Sequence, residues 1–224
     1  GYFIHVEKNK AIPIPVQACM VLVNHQNLHN IIVLEKGATL EVITGCIAAR
    51  EKGIHNAISE FFIGENASLR FTMIHSWYEN TVVRPKAFAL VEKGGTFLNT
   101  YVSLKTGNVQ MFPKAILKEK ANAKFYNLLY AKSLLEVGSS IILEGKESRG
   151  EIVSKAVVDG GNVHFPTILW AKAPSYGHVE CKTLTLHGKA KTTPQLISEH
   201  PSALLTHEAS VGKIKKEELY YLMA

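Results

Sequence analysis

Apolar positions in this chain fall in short runs rich in β-branched and aromatic side chains. Ile31-Ile32-Val33-Leu34, Phe61-Phe62-Ile63, Phe88-Ala89-Leu90-Val91 and Ile141-Ile142-Leu143 are examples. Such residues favour strands. Elsewhere the pattern alternates, as in Leu40-Glu41-Val42-Ile43 and Leu69-Arg70-Phe71-Thr72-Met73. Alternation turns one face inward and the other to solvent. Helical mixing is confined to the end, where Ile214, Leu219, Tyr220 and Leu222 sit among Lys and Glu over 213–224.

One polar phrase separates the apolar runs and keeps returning. Leu34-Glu35-Lys36-Gly37-Ala38-Thr39-Leu40 is rewritten as Ile63-Gly64-Glu65-Asn66-Ala67-Ser68-Leu69 and as Val91-Glu92-Lys93-Gly94-Gly95-Thr96-Phe97. It returns as Lys118-Glu119-Lys120-Ala121-Asn122-Ala123 and, more loosely, at Leu135 to Ile141, Val158 to Gly161 and Ser198 to Leu204. Glu35, Glu65, Glu92 and Glu119 recur at a nearly even interval. Gly37, Gly94 and Asn66 accept the positive φ that a tight turn asks for. A period of roughly 25–30 residues with several short strands and no helix predicts a right-handed parallel β-helix. It is too short for a propeller blade of roughly 40–45 residues. An ordinary β-sandwich with similar turns is the alternative. Residues 1–212 are expected to form the β-helix core, with the runs at Ile31, Phe61 and Phe88 facing the interior in layers. Residues 213–224 are expected to start a C-terminal helical region.

Composition narrows the class. Hydrophobic residues make up 46% and charged residues 20% of the 224, both globular values. No apolar run is long enough to span a membrane as a helix, and no signal-peptide pattern appears. The chain opens at Gly1 rather than Met and stops at Ala224 inside the expected helix, so it is expected to be a piece of a longer protein. Three scattered cysteines, Cys19, Cys46 and Cys181, argue against a disulfide framework and for a reducing compartment such as the cytoplasm. Cys19, in the apolar stretch Val16 to Val23, reads as core. The formal net charge of +6 is modest, and no basic run interleaves with aromatics, so nucleic acid is not an expected partner.

The common catalytic motifs are missing: no phosphate loop, dinucleotide glycine fingerprint, HExxH, CxxC or GxSxG. Carbohydrate-active β-helices cluster acids on one exposed sheet, whereas most acids here fall on repeat turns. The spacing of the soft ligands is more informative. His207, with Glu208 beside it, follows Cys181 by close to one repeat. Side chains one coil apart stack at roughly 4.8 Å. Thiolate, imidazole and carboxylate make an iron or zinc set, although a buried thiol and a surface histidine satisfy the same spacing. His75 and Trp77 follow Cys46 by a similar interval. There a core thiol packed on an aromatic is the plainer account.

With these residues in view, the chain resembles the SufB/SufD family of SUF iron–sulfur cluster assembly proteins. The similarity is carried by Cys181-Lys182-Thr183-Leu184, Pro194 and His207-Glu208-Ala209 through Ile214. Glu217-Glu218-Leu219-Tyr220-Tyr221-Leu222 resembles the family's terminal helix entry. Gly45-Cys46-Ile47-Ala48 with His55 downstream, and Phe71 through Tyr78, are similar to further family segments. The His-Glu-Ala triplet is SufB-like rather than SufD-like. The resemblance implies a cluster-holding site at Cys181, His207 and Glu208. It also implies a sulfur-transfer path through Cys46, His75 (where the family has Gln), Trp77 and Lys86. Thr206 replaces an acid found in many relatives.

What the resemblance implies overall is a scaffold, not a turnover enzyme. It would build a transient iron–sulfur cluster and pass it to acceptor proteins. ATP would be used by a SufC-type ABC ATPase partner, because this chain has no phosphate loop. Clusters commonly take about four thiolates, so a homodimer or a SufB/SufD-like heterodimer is expected to complete the site. The competing expectations are a β-helical carbohydrate-active enzyme and a metal-free, SufD-like structural subunit.

Overall fold

A computed structural model of the chain describes residues 1–105 and 107–213. The first eight strands are β1 (Phe3–Val6), β2 (Val16–Leu22), β3 (His25–Leu34), β4 (Thr39–Ala48), β5 (Lys52–Ile63), β6 (Ser68–Ser76), β7 (Asn80–Val91) and β8 (Thr96–Lys105). They are followed by β9 (Asn108–Met111), β10 (Lys114–Leu117), β11 (Asn122–Ala131), β12 (Leu134–Val137), β13 (Ser139–Leu143), β14 (Arg149–Ala171), β15 (Tyr176–Ser198) and β16 (Leu204–Lys213). Every pairing between these strands is parallel, as the repeat predicts. No described residue is helical. The helical region expected over 213–224 lies outside the described residues except for Lys213, which ends β16.

The chain winds as a parallel β-helix. One wall stacks β1, β3, β5, β7, β10, β13 and the ends of β14 and β15. The facing wall stacks β2, β4, β6, β8, β11, β14, β15 and β16. Val16 lies beside Val42, and Val42 beside Phe71, so the length of a coil varies slightly from one to the next. The interior is a column of layered side chains, with ring centroids 4.8 Å apart for Phe61–Phe71, 5.1 Å for Phe61–Phe97 and 5.9 Å for Phe97–Phe125.

The turn phrase does the joining. Asn9, Gly37, Asn66, Gly94, Lys120 and Glu147 take positive φ, one in each successive coil. Their amides tie each turn to the next: Gly37 N–H donates to the Glu65 carbonyl at 2.8 Å and Gly94 N–H to the Glu119 carbonyl at 2.9 Å. Lys36 reaches Glu65 at 2.9 Å and Lys93 reaches Glu119 at 3.0 Å. These exposed pairs add little energy; the backbone ladder and the buried layers hold the coils together.

Two expectations are corrected by the pleat. Cys19 is exposed, not core, because its neighbours Ala18 and Met20 take the inward positions of β2. The runs at Ile31, Phe61 and Phe88 do not face inward throughout. Ile32, Leu34, Phe61, Ile63, Ala89 and Val91 are buried, while Phe62 between two of them is 37% exposed. A continuous apolar run hides this alternation.

Candidate metal and cluster sites

Parallel stacking converts the sequence spacing into side-chain columns. In the facing wall, Thr44, Met73, Tyr101, Asn127, Ser154 and Cys181 are successive register partners. Beside them run Cys46, His75 and Ser103. All lie inside the barrel, and Thr44, Cys46, His75, Tyr101, Ser103, Asn127, Ser154 and Cys181 are buried. Asn127 Nδ2 donates to Ser154 Oγ at 3.0 Å and to Ser139 Oγ at 3.4 Å. Asn127 Oδ1 is buried without a partner. Unmet buried polar atoms cost free energy, so this stripe carries a cost that a purely apolar interior would avoid.

At the early end of the stripe, Cys46 and His75 are direct register partners. His55 enters from β5 on the other wall, and the three ligand atoms lie within 4.8 Å of one another. Sequence reading paired Cys46 with His75 but assigned His55 no role, because register spacing says nothing about contacts across the barrel. His75 Nδ1 is hydrogen-bonded to Tyr101 Oη at 3.1 Å and His55 Nδ1 to Gln26 Oε1 at 2.9 Å. The Trp77 indole packs on both imidazoles, its ring centroid 5.0 Å from each. Burial pushes the His55 pKa down to about 4 and the Cys46 thiol up to about 12. His75 falls to about 3, first from burial and then from the neighbouring His55. Lys86 is exposed in β7 and lines the same small cavity as His55, Met73, His75 and Tyr101.

At the late end, Cys181 is buried in β15, and burial raises its thiol to about 11, with Glu180 adding to the effect. The residue opposite Cys181 is Ala209; His207 sits opposite Val179 and Glu208 opposite Glu180. His207 therefore shares the inward face with Cys181, two positions along the adjacent strand and roughly 8 Å away between Cα atoms. Glu208 takes the outer face. There it reaches Lys182 at 3.3 Å, and Lys182 also holds Glu180 at 3.1 Å. His178, Glu180 and Glu208 bring their ligand atoms within 4.8 Å of one another on that outer face. His178 Nδ1 is hydrogen-bonded to the Thr206 hydroxyl at 2.8 Å. Stacking thus brings Cys181 and His207 to one face and sends the carboxylate to the other.

The family model described as the SufBD core domain of SUF system FeS cluster assembly matches residues 20–224. A protein of Archaeoglobus fulgidus called an iron-sulfur cluster assembly SufBD family protein is 40% identical over 233 residues, covering 100% of this chain and 63% of its own length. One from Methanothermobacter thermautotrophicus with the same designation is 34% identical over 235 residues, covering 99% of this chain and 57% of its own. A Staphylococcus saprophyticus relative is 27% identical and is covered over 51% of its length. The chain thus spans about half to two thirds of these relatives. A parallel β-helix, a thiol and a histidine on one inner face of the last two coils, and a match over residues 20–224 lead to one conclusion: the chain belongs to the SufBD family of SUF iron–sulfur cluster assembly proteins.

Proposed function

We propose that this chain is the β-helical core of a SufB-like scaffold, on which an iron–sulfur cluster is built as cargo at Cys181 and His207 and then handed to acceptor proteins. The observation that carries this reading is the buried polar stripe. It connects the Cys46 coil to the Cys181 coil across five strand steps, roughly 24 Å at about 4.8 Å per step. Sulfur would enter at Cys46, beside His75 and Trp77, with Lys86 at the outer mouth, and leave at Cys181. Burial holds both cysteines as thiols; iron at the Cys181 end supplies the positive charge that stabilises a thiolate there.

The cluster site is half open. Among the described residues β16 pairs only with β15, and Leu204 and Val211 on it are 59% and 58% exposed. An unpaired edge with exposed apolar side chains invites a second chain. A homodimer or a SufB/SufD-like heterodimer would supply the missing ligands, and a cluster held between chains can leave. No turnover chemistry is assigned to this chain; ATP hydrolysis would belong to a SufC-type ABC ATPase, in the cytoplasm.

Anaerobic reconstitution with iron and sulfide tests the reading. Cys181→Ala should abolish the visible charge-transfer absorption, and His207→Ala should weaken it several-fold. Glu208→Ala, on the outer face, should matter least. Circular dichroism checks that the fold persists. A full cluster spectrum from Cys181→Ala would refute the assignment.

A further inference from the structure

We propose that Cys46, His55 and His75 form an internal binding site for a single tetrahedral, late first-row metal ion of the Zn²⁺ type, separate from the Cys181 end. The three ligand atoms already lie within 4.8 Å of one another in the fold. Bonds of about 2.3 Å to sulfur and about 2.0 Å to nitrogen space tetrahedral ligands about 3.5 Å apart. Side-chain rotation of about an ångström closes the difference. Thiolate with two imidazoles is a donor set that zinc, cobalt and copper accept. The Met73 sulfur lies 3.8 Å from Cys46 Sγ and offers a fourth, softer donor.

Two further observations point to a ligand. Each imidazole is held at Nδ1, by Gln26 or by Tyr101, which leaves Nε2 as the nitrogen free to take a ligand. That is how metal-bound histidines are oriented by their outer contacts. His75 is 1% exposed, and its Nε2 is buried with nothing to bond. A cavity of about 40 Å³ lies against His55, His75 and Met73, roomy enough to admit an ion or a few waters. Phe61 and Phe71 form its apolar shell, and it opens toward exposed Lys86. On binding, the Cys46 thiol gives its proton to solvent and ligates as thiolate. A metal held here would also mask Cys46 until it is displaced.

The test uses the full chain carrying Cys19→Ser and Cys181→Ala, so that Cys46 is the remaining thiol, titrated anaerobically with Co²⁺. The expected result is one Co²⁺ per chain, with intense tetrahedral d–d bands and a thiolate-to-cobalt charge-transfer band, both lost on adding Zn²⁺. Adding Cys46→Ala should remove the charge-transfer band, and His75→Ala should weaken binding at least ~100-fold. Gln26→Ala, which touches only the outer nitrogen of His55, should weaken it ~10-fold and remains informative if the core variants fail to fold. No stoichiometric binding would overturn the proposal, as would a band that survives Cys46→Ala or an affinity indifferent to Gln26→Ala. Without stoichiometric binding, the buried Nε2 atom is left to a water molecule. Because Cys181 is absent from this background, failure here leaves the cluster assignment untouched.

Discussion

Burial keeps the two interior imidazoles neutral, and this ties the stability of the metal-free protein to pH. His55 titrates near about 4 and His75 near about 3 in the fold, against 6.5 unfolded. Both folded values are depressed, so above the unfolded pKa the two states bind the same protons and nothing is lost. As pH falls below it, the unfolded chain takes up protons that the fold refuses, and stability declines until the folded values are reached. Each histidine should cost roughly 2 kcal/mol between about pH 7 and about pH 5. Denaturant midpoints of chelator-treated protein at the two pH values measure this. A His55→Gln, His75→Gln double variant should lose much of the difference, whatever its absolute stability. Residue chemistry was legible in advance where the partner lay one coil away, as for Cys46 and His75. It was not legible for His55, whose approach depends on how wide the barrel is at that layer.

At the scale of the element, the turn is the unit that repeats, and its geometry explains its composition. Gly94 holds φ at +66°, and a Cβ there would meet Asn66 Oδ1 of the previous turn at 2.2 Å. Gly94→Ala should therefore lower stability by about 1–2 kcal/mol, the left-handed penalty for a side chain. Gly94→Asn should cost less than alanine, because asparagine tolerates this region and already serves at Asn66, where φ is 56°. Thermal or urea unfolding of the two variants checks the order; equal losses would mean that the contact with Asn66, and not backbone strain, decides. Glycine and asparagine at the tip, followed by a small residue, made these turns readable from the sequence. Lys120 and Glu147 adopt the same positive φ without that signature, because the stacked neighbours on each side impose it.

For the whole molecule, each coil leans on its neighbours, so stability is close to a sum over adjacent layers. β8 and β11 have a strand on both sides, while β16 pairs only with β15 among the described residues. Amide hydrogen exchange should be slowest in β8 and β11 and faster in β16, as in the end strands β1 and β2, since local opening at an end breaks one interface and not two. Protection of β16 equal to that of β8 in the isolated chain at low concentration would contradict this. If protection of β16 rises with protein concentration, a second chain is covering the edge, as the half-open site asks.

The sequence by itself determined the coil. The short, even period, the turn chemistry and the β-branched runs specify a parallel β-helix because each is a local property repeated, and stacking repeats is the way to bury their apolar face. It also placed Cys181 one coil from His207, since coil length sets which strand lies beside which. Only the tertiary structure decided the rest. A shift of one residue in register moves a side chain to the other face of the sheet, and a spacing known only as close to one coil does not fix that last step. The step puts Glu208 outside with Glu180 and Lys182 while His207 turns inward. Contacts across the barrel, such as His55 with Cys46 and His75, arise between walls that share no register, so their closeness is set by how the interior layers pack.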